Sequence, residues 1–139
     1  MNDYDPQNIF GKILRGEIPS TKVYENDHLL VIMDAFPQSK GHTLVLPKAG
    51  SRNILDADPA VVAKVAADLP RLARAVKSAM KADGLRVMQS NEAASGQTVF
   101  HLHFHLIPMY AGTEMAWHAH GQANAAELAE QAKAIAAQL

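Results

Sequence analysis

Cysteine is absent from this chain. Its absence excludes disulfides, a thiolate nucleophile and any Cys-based zinc site. Charge of either sign is not in excess, because 13 Lys and Arg stand against 14 Asp and Glu for a formal net charge of −1. A general nucleic-acid or membrane-surface binder needs a basic surplus, so neither partner is expected. No apolar run approaches the roughly 18–20 residues of a membrane span. The segment Met1–Pro6 is acidic and polar, unlike a secretory signal. What remains is a chain of 139 residues, 48% hydrophobic, with the size and core material of one ordinary domain, expected to be soluble and cytoplasmic. Histidine is the one surplus: there are seven, five of them between His101 and His120.

The pattern along the chain predicts an α+β fold. Asp5-Pro6 reads as a helix start, Ile9, Phe10, Ile13 and Leu14 recur at helical spacing, and Gly16 offers a stop. Thr21–Tyr24 and Leu29–Met33 flank an Glu25-Asn26-Asp27 turn as a hairpin, and Thr43–Leu46 is a further strand. Asp58-Pro59 repeats the helix-start device. The long stripe of Val61, Val62, Val65, Leu69, Leu72, Val76 and Met80 then runs to about Ala82, with Pro70 expected to kink or divide the helix and Gly84 to close it. Leu85–Gln89 and Val99–Pro108 read as the last strands and Ala123–Leu139 as a C-terminal helix. The order ββ-β-α-ββ implies an antiparallel sheet of about five strands packed with helices.

The stretch His101-Leu102-His103-Phe104-His105-Leu106-Ile107 carries the chemistry. On a strand, alternation places three imidazoles on one face and Leu102, Phe104 and Leu106 on the other. The second face is core; the first is hard to explain by packing. Metal binding is one reading, since imidazole is a common ligand, but at ~3.3 Å rise per residue His101 and His105 lie about 13 Å apart and do not easily converge on one ion. Nucleophilic catalysis is the other: a neutral imidazole forms a covalent intermediate, while its neighbours orient it, protonate a leaving group or stabilise phosphoryl oxygens. Ser95-Gly96-Gln97-Thr98, directly before the row, offers backbone donors, an amide and a hydroxyl for an anionic substrate.

These residues resemble the histidine-triad (HIT) superfamily of nucleotide hydrolases and transferases. Residues 101–107 match its His-φ-His-φ-His-φ-φ motif, with φ apolar, at every position. Gly96-Gln97-Thr98-Val99-Phe100, Ile9-Phe10-Gly11-Lys12-Ile13, Ile32-Met33-Asp34, and His42 ahead of Leu44-Val45-Leu46-Pro47-Lys48 extend the likeness over about residues 8–109. The branch most similar is the Hint type, which includes purine nucleoside phosphoramidases. The resemblance implies a HIT-like fold, a homodimer, and cleavage of a nucleoside 5′-monophosphate from its leaving group in a phosphoramidate, an adenylate or a dinucleoside polyphosphate, with no cofactor or metal. It implies His103 as nucleophile, His105 and Thr98 at the α-phosphate, and Gln97 near the leaving group. His101 and His42 become the support that fixes the nucleophile's tautomer. Asp34 accepts from the ribose hydroxyls, Ile9, Phe10, Ile13, Ile32 and Phe36 form the slot for the base of an AMP or GMP derivative, and Asn91 joins the site.

Other readings stay open beside these. On spacing alone Asp34 could begin a turn, Phe10 and Ile13 could be core, and His42 could be a loop histidine. A nucleotide-binding regulatory module with little turnover, or a metal-dependent hydrolase, would use the same residues. The chain also departs from the family pattern. Gly11 stands where many bacterial relatives carry a zinc-binding cysteine. Glu92 replaces the glycine that usually follows the loop asparagine, bringing negative charge toward the phosphates. Met109–Gly121 is longer than in the compact phosphoramidases; in it, Trp117 is the candidate aromatic for a partner subunit's site, and His118 and His120 are expected at the surface or a dimer rim.

Overall fold

The computed structural model describes residues 2–113 and 121–139. The expectations for Trp117, His118 and His120 therefore fall outside the described residues. The elements in chain order are α1 (Ile9–Leu14), β1 (Lys22–Glu25), β2 (Leu29–Met33), β3 (Thr43–Pro47), α2 (Pro59–Met80), β4 (Gly84–Met88), β5 (Phe104–Met109) and α3 (Ala125–Ala136), with short 3₁₀ turns at Ile54–Asp56 and Ala93–Ser95. The strands form one antiparallel sheet in the order β1-β2-β3-β5-β4. The fold is α+β, as the element pattern predicts.

Alternation along the central strands divides the core between the two faces of the sheet. Leu29, Val31 and Met33 of β2, Val45 of β3, and Phe104 and Leu106 of β5 pack with Val65, Leu72 and Val76 of α2 and Leu128 and Ile135 of α3. Leu30 and Ile32 of β2 and Leu44 and Leu46 of β3 face the other way and pack with Phe10, Ile13 and Leu14 of α1. β5 meets β3 with His105 opposite Leu44. The short helix α1 covers only part of this second face, and the candidate site opens beside it.

Several boundaries differ from the sequence-based expectation for local reasons. α1 starts at Asn8 rather than at Asp5-Pro6: the Asn8 side chain accepts from Gly11 N at 2.9 Å, whereas Asp5 accepts from Gln7 N at 2.8 Å and closes only a turn. α2 runs unbroken through Pro70. Pro70 and Ala66, whose carbonyl loses its usual donor, are both exposed, so water can replace the missing bond while Val65, Leu72 and Val76 anchor the opposite side. The stop of α2 is Lys81, in the left-handed conformation at φ 52°, with its N–H on Lys77 and Ser78; Gly84 instead opens β4.

The correction with most consequence concerns β5. It begins at Phe104, not Val99, so His101 and His103 precede the strand and only His105 belongs to it. Leu102 N donates to Ser51 O at 2.9 Å instead of to a strand neighbour. The three imidazoles are therefore not a row on one strand face.

Candidate active site

A cavity of about 1180 Å³ lies between α1, the ends of β2 and β5, the loop of residues 90–98 and the start of α3. Ten of the expected site residues line it: Ile9, Phe10, Ile13, Ile32, Asp34, Phe36, Gln97, Thr98, His103 and His105. Ile9 and Phe36 are exposed to about half, at 47% and 54%, so the apolar side is an open slot able to take a flat ring. His42, His101 and Asn91 do not line it.

The hydrogen bonds around the imidazoles decide which nitrogen of each carries a proton. His103 Nδ1 lies 2.6 Å from the carbonyl oxygen of His101. A carbonyl only accepts, so Nδ1 bears the hydrogen and neutral His103 keeps its lone pair on Nε2. Phe10 meets the His103 ring edge-on with centroids 4.8 Å apart. For His42, the backbone N–H of Gln38 donates to Nδ1 at 3.0 Å, so the hydrogen sits on Nε2. His42 Nε2 is 2.8 Å from His105 Nδ1 and donates to it. His105 then carries its own hydrogen on Nε2. The two cavity histidines, with ring centroids 4.9 Å apart, thus differ in character: His103 offers a lone pair and His105 an N–H donor.

Their electrostatics fit those roles. Burial pulls His103 down to about 4 against the opposing hydrogen bond to the His101 carbonyl, pulls His105 down to about 4 with the charge of His103 adding to the effect, and takes His42 down to about 3. All three are neutral at pH 7. Neutrality is what a nitrogen nucleophile needs. Asp34 is perturbed the other way, up to about 6 through burial, with the backbone N–H of Phe36 opposing. That N–H reaches Oδ1 at 2.8 Å, so Asp34 also begins a turn, and Oδ2 stands 3.5 Å from His42 Nε2.

Asp34, His42 and His105 bring three ligand-type atoms within 4.8 Å of one another. These three residues could hold a metal ion only by giving up the hydrogen bond between His42 and His105. His42 and His105 share a proton across 2.8 Å, whereas two Zn–N bonds of about 2.0–2.1 Å in tetrahedral geometry place their nitrogens about 3.3 Å apart.

Four expected roles are corrected. His101 is fully buried with its ring turned from the cavity, Nε2 donating to Pro47 O at 2.8 Å; it supports His103 through its carbonyl, not its imidazole. His42 supports His105 rather than the nucleophile. Gln97 touches the cavity, but its amide is committed within the protein: Nε2 donates to Arg52 O at 2.7 Å and Val99 O at 3.0 Å, while Oε1 accepts from Glu92 N at 2.7 Å and Asn53 Nδ2 at 3.1 Å. Asn91 ties the loop to its neighbours, accepting from Ile54 N at 2.9 Å and donating to Gln89 Oε1 at 3.0 Å. Three of the loop's backbone donors are committed as well: the N–H groups of Ser95, Gly96 and Gln97 all bond inside the loop. Thr98, exposed and lining the cavity, also offers its hydroxyl.

Glu92 does not bring its charge to the cavity. Its carboxylate takes a two-pronged bond from Arg52, at 2.7 Å from Nε and 2.9 Å from Nη2, and a third from Asn53. The Arg52 guanidinium in turn lies 4.1 Å over the Phe100 ring. Glu92 sits at φ 72°, a conformation suited to glycine, and this clamp holds it there. Arg52, Asn53, Gln38 and Tyr4, the last bonded to His101 Nδ1, escaped sequence reasoning. Each reaches the site across a tertiary contact or a loop, and no local pattern announces it.

Comparison with known proteins identifies the family. The HIT domain family model matches residues 15–112. Protein hit of Bacillus subtilis is 38% identical over 115 residues, covering 81% of this chain and 79% of that protein. Adenylylsulfatase HINT3 of Arabidopsis thaliana is 40% identical over 100 residues, covering 72% of this chain and 51% of that protein. The crystal structure of a Hit-like protein from Bartonella henselae, described as involved in cell-cycle regulation, superposes with a TM-score of 0.94 at 51% identity, covering 99% of this chain and 100% of the other.

Proposed function

The chain belongs to the HIT family, and from that premise we propose that it cleaves a nucleoside 5′-monophosphate from its leaving group through a covalent nucleotidyl-His103 intermediate. The observation that carries this reading is the opposed pair of tautomers: the lone pair of His103 and the N–H of His105 border one cavity, with Asp34 on the same wall.

The reaction is two displacements at the α-phosphorus. His103 Nε2 attacks, the P–N or P–O bond to the leaving group breaks, and the leaving group departs with a proton from solvent. Attack leaves His103 as an N-phosphoryl imidazolium, whose Nδ1–H remains on the His101 carbonyl. Water then attacks phosphorus, the P–Nε2 bond breaks, a proton returns to solvent, and neutral His103 is restored. His105 Nε2–H donates to a phosphoryl oxygen as charge builds there, with the Thr98 hydroxyl as a second donor. Asp34 accepts from the ribose hydroxyls, and Ile9, Ile13 and Phe36 flank the base. Hydrophobic slots separate similar bases weakly, so either purine is accommodated.

The adenylate cleaved by a relative named adenylylsulfatase joins phosphoramidates and dinucleoside polyphosphates as a substrate to assay. The chain also acts as a homodimer in this reading. β4 ends the sheet as an edge strand, and Val87 on it is 50% exposed, an apolar edge that a second copy would cover. Light scattering after size exclusion checks the dimer. Rapid-quench kinetics on an adenosine phosphoramidate check the mechanism. A burst of leaving group, stoichiometric with enzyme and ahead of AMP, is expected; leaving group and AMP appearing together from the first turnover, with no adenylyl-enzyme in the quenched samples, contradicts it.

A further inference from the structure

His101 is the one imidazole of the motif that stays outside the cavity, and its environment is built from a distant part of the chain. Its Nε2 donates to Pro47 O, so Nδ1 holds a lone pair. Tyr4 supplies the matching donor: its hydroxyl lies 2.8 Å from that Nδ1, and its ring meets the imidazole edge-on with centroids 5.7 Å apart. The seat of the tyrosine ring is shaped for it. A Cβ on Gly50 would stand 2.6 and 2.8 Å from two Tyr4 ring carbons, closer than real contacts allow. A Cβ on Gly11 would meet the Pro6 carbonyl at 2.6 Å, so the same N-terminal segment also lies tight against the start of α1.

We propose that Tyr4 is a positioning residue for the nucleophile, acting through His101. With both ring nitrogens tied, His101 cannot rotate or change tautomer without leaving a buried polar atom unpaired. Its backbone is held as well, since the next residue, Leu102, donates to Ser51 O. The carbonyl between these anchors is the one that receives the His103 Nδ1–H. Tyr4 thereby holds in place the carbonyl that takes the His103 Nδ1 proton, and with it the aim of the Nε2 lone pair. The path runs from the Tyr4 hydroxyl to the His101 ring, along one residue of backbone, and across one hydrogen bond to the reacting imidazole.

The kinetic part of this inference rests on the proposed reaction; the tautomer part does not. Tyr4→Phe keeps the ring in its seat and removes only the hydroxyl. Imidazole ¹⁵N spectra of the full-length protein, with and without this substitution, read the tautomers of His101 and His103 directly. His101 is expected to keep the Nε2–H form that Pro47 O fixes while its Nδ1 signal shifts on losing the hydroxyl, and the His103 ring signals are expected to shift with it. On an adenosine phosphoramidate, kcat is expected to fall about tenfold with KM within about twofold. Gly50→Ala, which displaces the Tyr4 ring while leaving its hydroxyl intact, is expected to give the same signature. Unchanged His103 signals in Tyr4→Phe, or a shift in His101 alone with wild-type kcat, overturns the proposal. A wild-type protein that never turns over nucleotide defeats the reaction instead, and the spectra still decide the role of Tyr4.

Discussion

The two sides of the histidine segment obey opposite rules. On the cavity side, His103 and His105 each have one nitrogen tied to the protein, leaving Nε2 for chemistry. Behind them His101, and at the cavity wall Gln97, have every polar side-chain atom bonded: two partners for His101 and four for Gln97. An unpaired buried polar atom costs about 1–3 kcal/mol. The rear therefore cannot reorganise cheaply, and the front borrows its precision from that stiffness. Reactive groups are left incomplete, and the groups behind them are complete.

The largest predicted break of this contrast is on the front. His103→Ala removes the lone pair and is expected to abolish turnover of an adenosine phosphoramidate while AMP still binds, as isothermal titration can check. Next is the first group behind the front. His42→Ala takes away the donor to His105 Nδ1, so His105 no longer needs to carry its hydrogen on Nε2. A fall in kcat of about 10–100-fold with a smaller change in KM is expected, measured at saturating substrate.

A smaller effect follows from Asp34, raised to about 6 by burial. Above that pH it is a carboxylate able to accept from ribose hydroxyls; below it, it is protonated. KM for a phosphoramidate with no ionisation near pH 6 should rise as pH falls through about 6. Because His103 and His105 titrate near 4, Asp34→Asn should flatten that step and leave any change at lower pH. The smallest effect is behind the loop. Glu92→Ala keeps an L-residue at φ 72° and loses the Arg52 and Asn53 bonds, whereas Glu92→Gly loses the bonds but relieves the backbone. The glycine variant should be the more stable of the two, by about 1 kcal/mol in denaturant melts.

The contrast also explains what could be read from the sequence. The α+β sheet was legible because each strand and helix carries its own period, and β2 sends Leu30 and Ile32 to one face and Val31 and Met33 to the other. The front of the site was legible too: Asp34, Phe10, Thr98, His103 and His105 all reach the cavity. The rear was not. A three-on-one-face reading requires a strand from Val99, and the chain delays it to Phe104 because Leu102 finds Ser51 O instead. Gln97 has the composition of a substrate contact, yet its partners Arg52 and Asn53 come from more than 40 residues away. Glu92 looked like a charge aimed at phosphate until Arg52 met it. Local pattern announces which atoms are available, and tertiary contacts decide which of them are spent.

The proposed chemistry turns on a single atom, His103 Nε2. Alkaline quench of the enzyme mixed with an adenosine phosphoramidate, followed by peptide mass spectrometry, measures where the nucleotide is carried. The predicted result is a mass increase of one adenylyl group on His103, absent in His103→Ala. Turnover that proceeds with the adenylyl group on His105 or His101, or with no covalent species at all in a trapping experiment that captures the burst phase, would contradict it.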